Sequence, residues 1–476
     1  IIVWVVRQKQ NDSADYFLGG RDATWLAIGA SIFASNIGSE HLIGLAGAGA
    51  SSGMAMAHWE IQGWMILILG WVFVPFYTRS MVYTMPEFLE RRYNPQSRTI
   101  LSVISLVSYV LTKVAVTVYA GGLVFQQVFG IKELWGIDFF WIAAIGLVVL
   151  TALYTIFGGM KSVLYTSVLQ TPILLLGSLI ILVLGFKELG GWDEMMRVCG
   201  AVTVNDYGDT MTNLIRSNDD ANFPWLGALI GSAIIGFWYW CTDQFIVQRV
   251  LSGKNEMEAR RGTIFGAYLK LLPVFLFLIP GMIAFALHQK YIGAGGEGFL
   301  PMLANGTANA DAAFPTLVAK LLPAGVKGLV VCGILAALMS SLASLFNSSA
   351  MLFTIDFYKR FRPETPEKKL VGIGQVATVV IVILGILWIP IMRSVGDVLY
   401  TYLQDVQSVL APGIAAAFLL GICWKRTSAQ GGMWGLIAGM VIGLTRLGAK
   451  VYYSNAGEVA DSTFKYLFYD MNWLFF

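Results

Sequence analysis

Charge is scarce in this sequence. Charged residues make up 13% of the 476 residues, about half of the share that is usual in soluble proteins. Apolar residues make up 57%, and the mean hydropathy is +0.67. A soluble protein of this composition would expose large apolar patches and aggregate. The sequence therefore predicts a helical integral membrane protein, and the small net charge of +3 gives no indication of a nucleic-acid partner.

Cysteine and histidine are equally sparse. The four cysteines are too few for a disulfide framework, and no Cys-x-x-Cys or Cys/His cluster indicates a metal site. Of the three histidines, only His41 lies in the predicted core of the membrane region. No pair of residues has the spacing of a nucleophile and its base. These absences disfavour a membrane-embedded enzyme, and we predict no enzymatic activity.

Eleven apolar segments are long enough to cross a bilayer as helices, and none alternates like a barrel strand. We number them spans 1 to 11. Their predicted ranges are 25–50, 58–78, 99–127, 136–157, 162–186, 224–248, 262–287, 326–354, 370–392, 398–423 and 431–449.

The remaining segments flank these spans. We interpret both ends of the chain as trimmed, so that a signal peptide or a further C-terminal domain stays open. Residues 1–24 are then the remnant of an N-terminal flanking helix with its cytoplasmic loop, and 425–476 are truncated C-terminal flanking helices. Residues 187–223 form an extracytoplasmic loop.

Lysine and arginine determine the predicted orientation, because they are enriched in cytoplasmic loops. If span 1 runs from inside to outside, the inner segments hold 19 of these residues and the outer segments hold seven. The longest loop, 187–223, has seven acidic residues against three basic ones and falls outside. This asymmetry predicts a multi-pass protein with an inward-facing basic side.

Spans 1 and 6 are unusually polar. Residues 29–53 are rich in Gly and Ser, and span 6 carries three glycines before the run Phe-Trp-Tyr-Trp-Cys-Thr-Asp-Gln at 237–244. Two interrupted spans five helices apart are typical of inverted-repeat transporters, in which the broken helices form the substrate site. The alternative is that Gly and Ser only permit close helix packing.

The polar residues of the spans favour a binding site. A charged side chain inside a membrane costs roughly 2.5–3.5 kcal/mol, so each one needs a partner. Amide, carboxylate, imidazole and ammonium groups among aromatic rings suit a sugar or polyol. The alternative is purely structural pairing, such as Glu60 with Lys270 or Asp243 with Arg249. The polar residues are Asn36, Glu40, His41, Glu60, Lys113, Asp243, Lys270, Gln404 and Gln407, and the aromatic residues are Trp59, Tyr239, Trp240 and Tyr400.

Span 8 carries a second polar group, the hydroxyl-rich run at 338–349. Hard cations bind oxygen ligands. Carbonyls freed by a break in span 1, together with Ser340 and Ser341, would form a neutral oxygen cage that suits sodium. A hydroxyl-mediated contact between helices is the alternative.

Several long motifs resemble the sodium/solute symporters, in particular their sodium/glucose cotransporter branch. The resemblance extends from residue 16 to residue 426 and implies an all-α membrane protein with a 5+5 inverted-repeat core, whose repeats are 25–186 and 224–424. The motifs are Ala-Ser-Asn-Ile-Gly-Ser-Glu-His at 34–41, Tyr-Thr-Met-Pro-Glu-Phe at 83–88, Trp-Tyr-Trp-Cys-Thr-Asp-Gln at 238–244, Gly-Ala-Tyr-Leu-Lys-Leu-Leu-Pro at 266–273 and Ser-Ser-Leu-Ala-Ser at 340–344.

The resemblance also implies site residues. Sodium would bind the carbonyls of Ala34, Ile37 and Ala337 and the hydroxyls of Ser340 and Ser341. The substrate-binding positions would be Asn36, His41, Glu60, Tyr239, Trp240, Lys270 and Gln404. Tyr239 would be the inner gate, and the outer gate would be Leu45, Trp59 and Tyr400.

The chain also departs from this family. Gly236 stands where relatives often carry Asn or Thr, and Glu40 beside His41 resembles the inositol-transporting members. The absence of Cys-rich external insertions favours a bacterial inner membrane. Members that move two sodium ions resemble each other in a Tyr-Thr-Asp motif, which here ends in Ser167, and in a later hydroxyl, which here is Ala343.

The predicted function is sodium-coupled symport of a neutral, glucose- or galactose-like hexose by alternating access, with one sodium ion per sugar. Alternatives are symport of myo-inositol or another polyol, and a transporter-like sugar sensor. A channel is disfavoured because it needs a continuous polar path. The sequence does not identify the solute and indicates no obligate protein partner.

Overall fold

The computed structural model describes residues 12–38, 40–303, 306–393, 399–455 and 462–472. Within these residues, seven helices are long and apolar enough to cross a membrane, and shorter apolar helices accompany them. A two-stranded sheet pairs Glu133–Leu134 with Ile137–Asp138 in the loop after span 3. The chain is thus a multi-pass helical membrane protein.

All eleven predicted spans are helical. Their observed bounds are Trp25–Asn36 with 40–52 for span 1, 57–80 for span 2, 95–129 for span 3, two parts of Phe139–Leu189 for spans 4 and 5, 225–251 for span 6, Glu256–Gly293 for span 7, Ala324–Phe361 for span 8, Glu367–Arg393 for span 9, Leu399–Cys423 for span 10 and Ala429–Asn455 for span 11. Shorter helices are Ser13–Leu18, Met85–Arg92, Trp192–Gly200 and Ala313–Leu321.

Spans 4 and 5 meet at Gly159. This residue has φ +53° and ψ −151°, a conformation that favours glycine because it lacks a Cβ. A Cβ here would also lie 2.5 Å from the carbonyl oxygen of Tyr16. The tight turn therefore packs directly on the N-terminal helix Ser13–Leu18.

Spans 1 and 6 are broken, as predicted. The first part of span 1 ends at Asn36, and Ile37 is extended with φ −78° and ψ 91°. Span 6 is interrupted at Asp243, which has φ −74° and ψ 127°. The Asp243 carboxylate accepts the N–H of Phe245 and caps the second part of span 6. Each break leaves helix-end backbone groups available inside the membrane.

Glycines bring span 1 into contact with span 7 on both sides of its break. On the inner side, a Cβ on Gly29 would lie 2.7 Å from the carbonyl oxygen of Gly262. On the outer side, Gly281 packs against the backbone of Ala46, and a Cβ there would overlap the Ala46 carbonyl. The two helices therefore approach to backbone contact, which holds the broken span 1 in place.

We expect Gly281→Ala to destabilise the protein by about 1–3 kcal/mol, because the added methyl group meets backbone that cannot rotate away. The matched control is Gly435→Ala in span 11, where nothing lies within 4 Å of the added Cβ. The control should keep or slightly raise stability through helix propensity. Thermal unfolding midpoints in detergent check both variants, and equal midpoints would contradict the close contact.

Candidate substrate and sodium sites

The breaks in spans 1 and 6 lie beside a small buried cavity. Its volume is about 40 Å³, enough for a few water molecules. The cavity is lined by Asn36, His41, Trp59, Glu60, Gln62, Ile235, Tyr239, Trp240, Lys270 and Gln407.

Lys270 is the centre of the polar network in this cavity. Its Nζ lies 2.5 Å from Asn36 Oδ1, 2.7 Å from His41 Nε2 and 2.6 Å from Glu60 Oε2. The side chain reaches these groups because Gly63 opposite has no side chain: a Cβ there would lie 2.6 Å from Lys270 Cγ. One ammonium group thus joins spans 1, 2 and 7.

Two further contacts extend the network. Glu60 Oε1 lies 3.2 Å from His41 Nε2, and Asn36 Nδ2 donates to the Tyr239 hydroxyl at 3.0 Å. Tyr239 belongs to the interrupted part of span 6, so the network also reaches that helix. The structure shows both the pairing of Glu60 with Lys270 and the position of both residues at one cavity. These polar residues can therefore stabilise the helix packing and also serve a binding site.

Aromatic rings form the remaining walls. The rings of Tyr239 and Trp240 are nearly perpendicular, with centroids 4.9 Å apart. Lys270 Nζ lies 5.5 Å from the Trp240 ring centroid. Trp59 and Leu45, two of the predicted outer gate residues, are buried. The cavity therefore combines hydrogen-bonding groups with flat apolar faces.

One of the predicted sodium ligands contacts the backbone at the break in span 1. Ser341 Oγ donates to the carbonyl of Ser35 at 2.8 Å, and a Cβ on Gly38 would lie 2.8 Å from the same hydroxyl. Ser340 Oγ lies 3.1 Å from Ser167 Oγ on span 5. The remaining predicted ligands, Ala34, Ile37 and Ala337, are all buried, and their role as ligands stays a prediction. Span 8 thus presents a hydroxyl to a carbonyl at the end of the first part of span 1, and neutral oxygens of this kind suit a hard cation.

The structure gives Asp243 a different partner from the one expected. Its carboxylate accepts from Lys113 Nζ at 2.5 Å and from the Tyr109 hydroxyl, both on span 3. Arg249 instead donates to the hydroxyls of Ser31 and Ser35. The expectation of an Asp243–Arg249 pair was based on their short separation in the sequence, whereas the partner lies on another helix.

The sequence did not single out two cavity residues, Gln62 and Ile235, and it gave Gln407 no place in the substrate site. Gln62 follows Trp59 by three residues and shares its helix face, a signal that was available. Gln407 was noted as a polar span residue, one turn after Gln404. The side chains of Tyr400 and Gln404 lie outside the described residues, so their predicted roles stay predictions.

Known proteins are similar to this chain along most of its length. The model of the sodium:solute symporter family matches residues 16–439. Human sodium/myo-inositol cotransporter 2 is 39% identical over 455 residues, which cover 93% of this chain and 66% of that protein. Human sodium/myo-inositol cotransporter is 38% identical over 463 residues, covering 93% and 64%. The chain therefore spans about two thirds of the length of these relatives.

Two solved structures are similar in fold. A Na+-coupled sialic acid symporter in a substrate-bound, outward-open state has a TM-score of 0.79 at 22% identity and covers 100% of this chain and 91% of its own. The nucleobase–cation symporter Mhp1, in a closed conformation with bromovinylhydantoin bound, has a TM-score of 0.54 at 13% identity, with 98% and 100% covered.

These similarities confirm the predicted fold class, an all-α membrane protein with a 5+5 inverted-repeat core broken in spans 1 and 6. The relatives are cotransporters rather than enzymes, which agrees with the prediction of no enzymatic activity. They are also mammalian, so they give no support to a bacterial inner membrane. The chain belongs to the sodium:solute symporter family, whose coupling ion is sodium.

Proposed function

We propose that this protein is a sodium-driven symporter of myo-inositol or a closely related neutral cyclic polyol. The observation that carries the proposal is the buried network of Asn36, His41, Glu60 and Lys270 beside the rings of Trp59 and Trp240. The human relatives named for myo-inositol favour this polyol over the hexose that the sequence first suggested.

The chemistry of the cavity fits a neutral polyhydroxylated ring. Each hydroxyl both donates and accepts, and the cavity offers an ammonium donor on Lys270, carboxylate acceptors on Glu60 and both kinds of group on Asn36. The opposite charges of Glu60 and Lys270 are in direct contact. A charged solute would have to disrupt this pair, whereas a neutral one can bind beside it.

Sodium and solute would be coupled through the break in span 1. Span 1 carries both the Ser35 carbonyl that faces Ser341 and the side chains of Asn36 and His41. A cation held at this carbonyl and its neighbours would fix the end of the first part of span 1 and thereby position Asn36 for the solute. Binding energy of one ligand then lowers the cost of ordering the site for the other.

The free energy available from one sodium ion is sufficient. One charge that crosses 100 mV supplies about 2.3 kcal/mol. A tenfold sodium gradient adds about 1.4 kcal/mol. Together these concentrate a neutral solute by a few hundredfold.

The surroundings of Ser167 support one sodium ion per solute. Ser167 Oγ donates to the carbonyl of Val163 at 2.6 Å, and it supplies no carboxylate. Asp243, the candidate for a replacement, is paired with Lys113. A second cation at Ser167 would therefore lack a carboxylate.

Variants of the Glu60–Lys270 pair can distinguish a role in solute binding from a role in protein stability. We expect Lys270→Met to destabilise the protein by roughly 3–5 kcal/mol, because it leaves a buried carboxylate unpaired. The double variant Glu60→Gln/Lys270→Met should recover most of that stability. It should still bind the polyol at least tenfold more weakly, because the ammonium donor remains absent. Thermal unfolding and solute binding in detergent are measured side by side, and normal binding by the double variant would reduce the pair to a structural role.

Sodium dependence has its own test. Uptake of radiolabelled myo-inositol into proteoliposomes should require external sodium and be electrogenic. Ser341→Ala should raise the half-saturating sodium concentration at least tenfold, because it removes one oxygen of the cage. The control is Ser349→Ala, a buried hydroxyl two turns further along span 8 without a hydrogen-bond partner. Equal uptake in sodium and potassium buffers would refute sodium coupling, and competition by a hexose and polyol panel identifies the solute class.

The coupling ratio is expected to be one. In proteoliposomes with a set membrane potential, the solute gradient that cancels net flux at a given sodium gradient gives the ratio directly. Because Ser167 supplies no carboxylate, we expect the measured reversal potential to equal the value for one sodium ion per solute. We also expect the Hill coefficient for sodium to be near one. A measured ratio near two would show that a second cation binds despite Ser167 and Ala343.

A further inference from the structure

One amide oxygen in the cavity has no hydrogen-bond donor among the described residues. The Oε1 of Gln62 is buried and accepts no hydrogen bond from the described residues, although Gln62 lines the same cavity as Asn36 and Lys270. A buried acceptor without a donor is costly and calls for an explanation. Because Gln62 lines a polar cavity, a ligand that enters the cavity is the natural source of that donor.

The absence of a side chain at Gly236 explains where this amide lies. A Cβ on Gly236 would be 2.5 Å from Gln62 Oε1, 3.3 Å from its Cδ and 3.4 Å from its Cβ. The side chain of Gln62, on span 2, therefore occupies the space that a side chain from span 6 would fill. Gly236 and Gln62 form a complementary pair across the cavity wall.

The neighbouring charged groups do not supply the missing donor. The Lys270 ammonium already contacts Asn36, His41 and Glu60. A solute hydroxyl can therefore donate to Gln62 without breaking the central ion pair. This makes the Gln62 contact an addition to the network rather than a replacement of part of it.

We propose that Gln62 is a substrate-contacting, specificity-determining residue, whose amide oxygen, placed beside Gly236, accepts a hydrogen bond from one hydroxyl of the polyol. The inference rests on the proposed function and deepens it. A solute that lacks that hydroxyl leaves the amide oxygen unsatisfied, and sites built around a hydrogen bond reject such analogues strongly. The pair Gln62–Gly236 thus determines which ring position must carry a free hydroxyl.

The first experiment measures binding of myo-inositol and its monodeoxy and monofluoro analogues to the full chain in sodium buffer. Gln62→Leu keeps the size of the side chain and removes the acceptor. We expect its affinity for myo-inositol to fall about 5- to 150-fold. Wild-type protein should reject one deoxy analogue most strongly, and Gln62→Leu should bind that analogue no more weakly than it binds myo-inositol.

The matched control is Gln170→Leu. Gln170 Oε1 on span 5 is also buried without a hydrogen-bond partner, but the residue does not line the cavity. The same chemical change there should leave solute affinity and analogue discrimination unchanged. Sodium affinity and the unfolding midpoint should be unchanged in both variants.

A second pair of variants tests the role of Gly236. Gly236→Ala should weaken binding by itself, because its methyl group displaces the Gln62 amide. Gln62→Ala/Gly236→Ser should bind the polyol more tightly than Gln62→Ala alone, because a hydroxyl from span 6 replaces the lost acceptor. This recovery is a result that a purely structural role for Gln62 would not produce.

The outcomes separate this inference from the proposed function. Wild-type affinity and discrimination in Gln62→Leu would overturn the inference and leave the polyol symporter intact. Loss of solute binding together with sodium binding and stability would show that Gln62 is structural. If the wild-type protein prefers a hexose, the proposal of a polyol substrate is wrong. The role of Gln62 is then tested in the same way with deoxy analogues of that hexose. If it binds no solute of the panel, both proposals fall.

Discussion

The requirement that every polar group inside a bilayer find a partner governs this structure. Without water to solvate them, backbone groups and charges must be satisfied by the protein itself. Lys270 meets this requirement by contacting three side chains from two other helices. Asp243 meets it through Lys113, Tyr109 and the N–H of Phe245. The breaks in spans 1 and 6 exist only because such partners surround them.

The same requirement explains how a binding site arises from structural contacts. The side chains around Lys270 satisfy one another when the cavity is small, and they are also the donors and acceptors that a polyhydroxylated ring needs. In the proposed symporter, one set of groups would therefore satisfy its own hydrogen bonds without solute and bind the solute when it enters. The empty and the occupied arrangement would then both be stable.

Much of the fold could be predicted from the sequence. Hydropathy measures the free energy of moving side chains from water into an apolar phase, and the same free energy determines which segments cross the bilayer. The Gly- and Ser-rich segment at 29–53 also revealed the break in span 1, since lipid-facing helices rarely carry such residues. Side-chain partners were harder to predict. Asp243 pairs with Lys113 across 130 residues of sequence, and no local pattern indicates that distance. Gln62 could have been found from its place three residues after Trp59 on the same helix face, although the sequence does not show that its amide oxygen lacks a donor.

Lys113 has a consequence for the inner side of the protein. Its ammonium lies within 4.7 to 5.5 Å of the ring centroids of Tyr239, Phe245, Tyr109 and Trp238. A movement of the Tyr239 ring away from Lys113 would remove one of these faces from the ammonium, at a cost of about 0.5–2 kcal/mol. The aromatic cage thus resists displacement of Tyr239 and ties the interrupted part of span 6 to span 3.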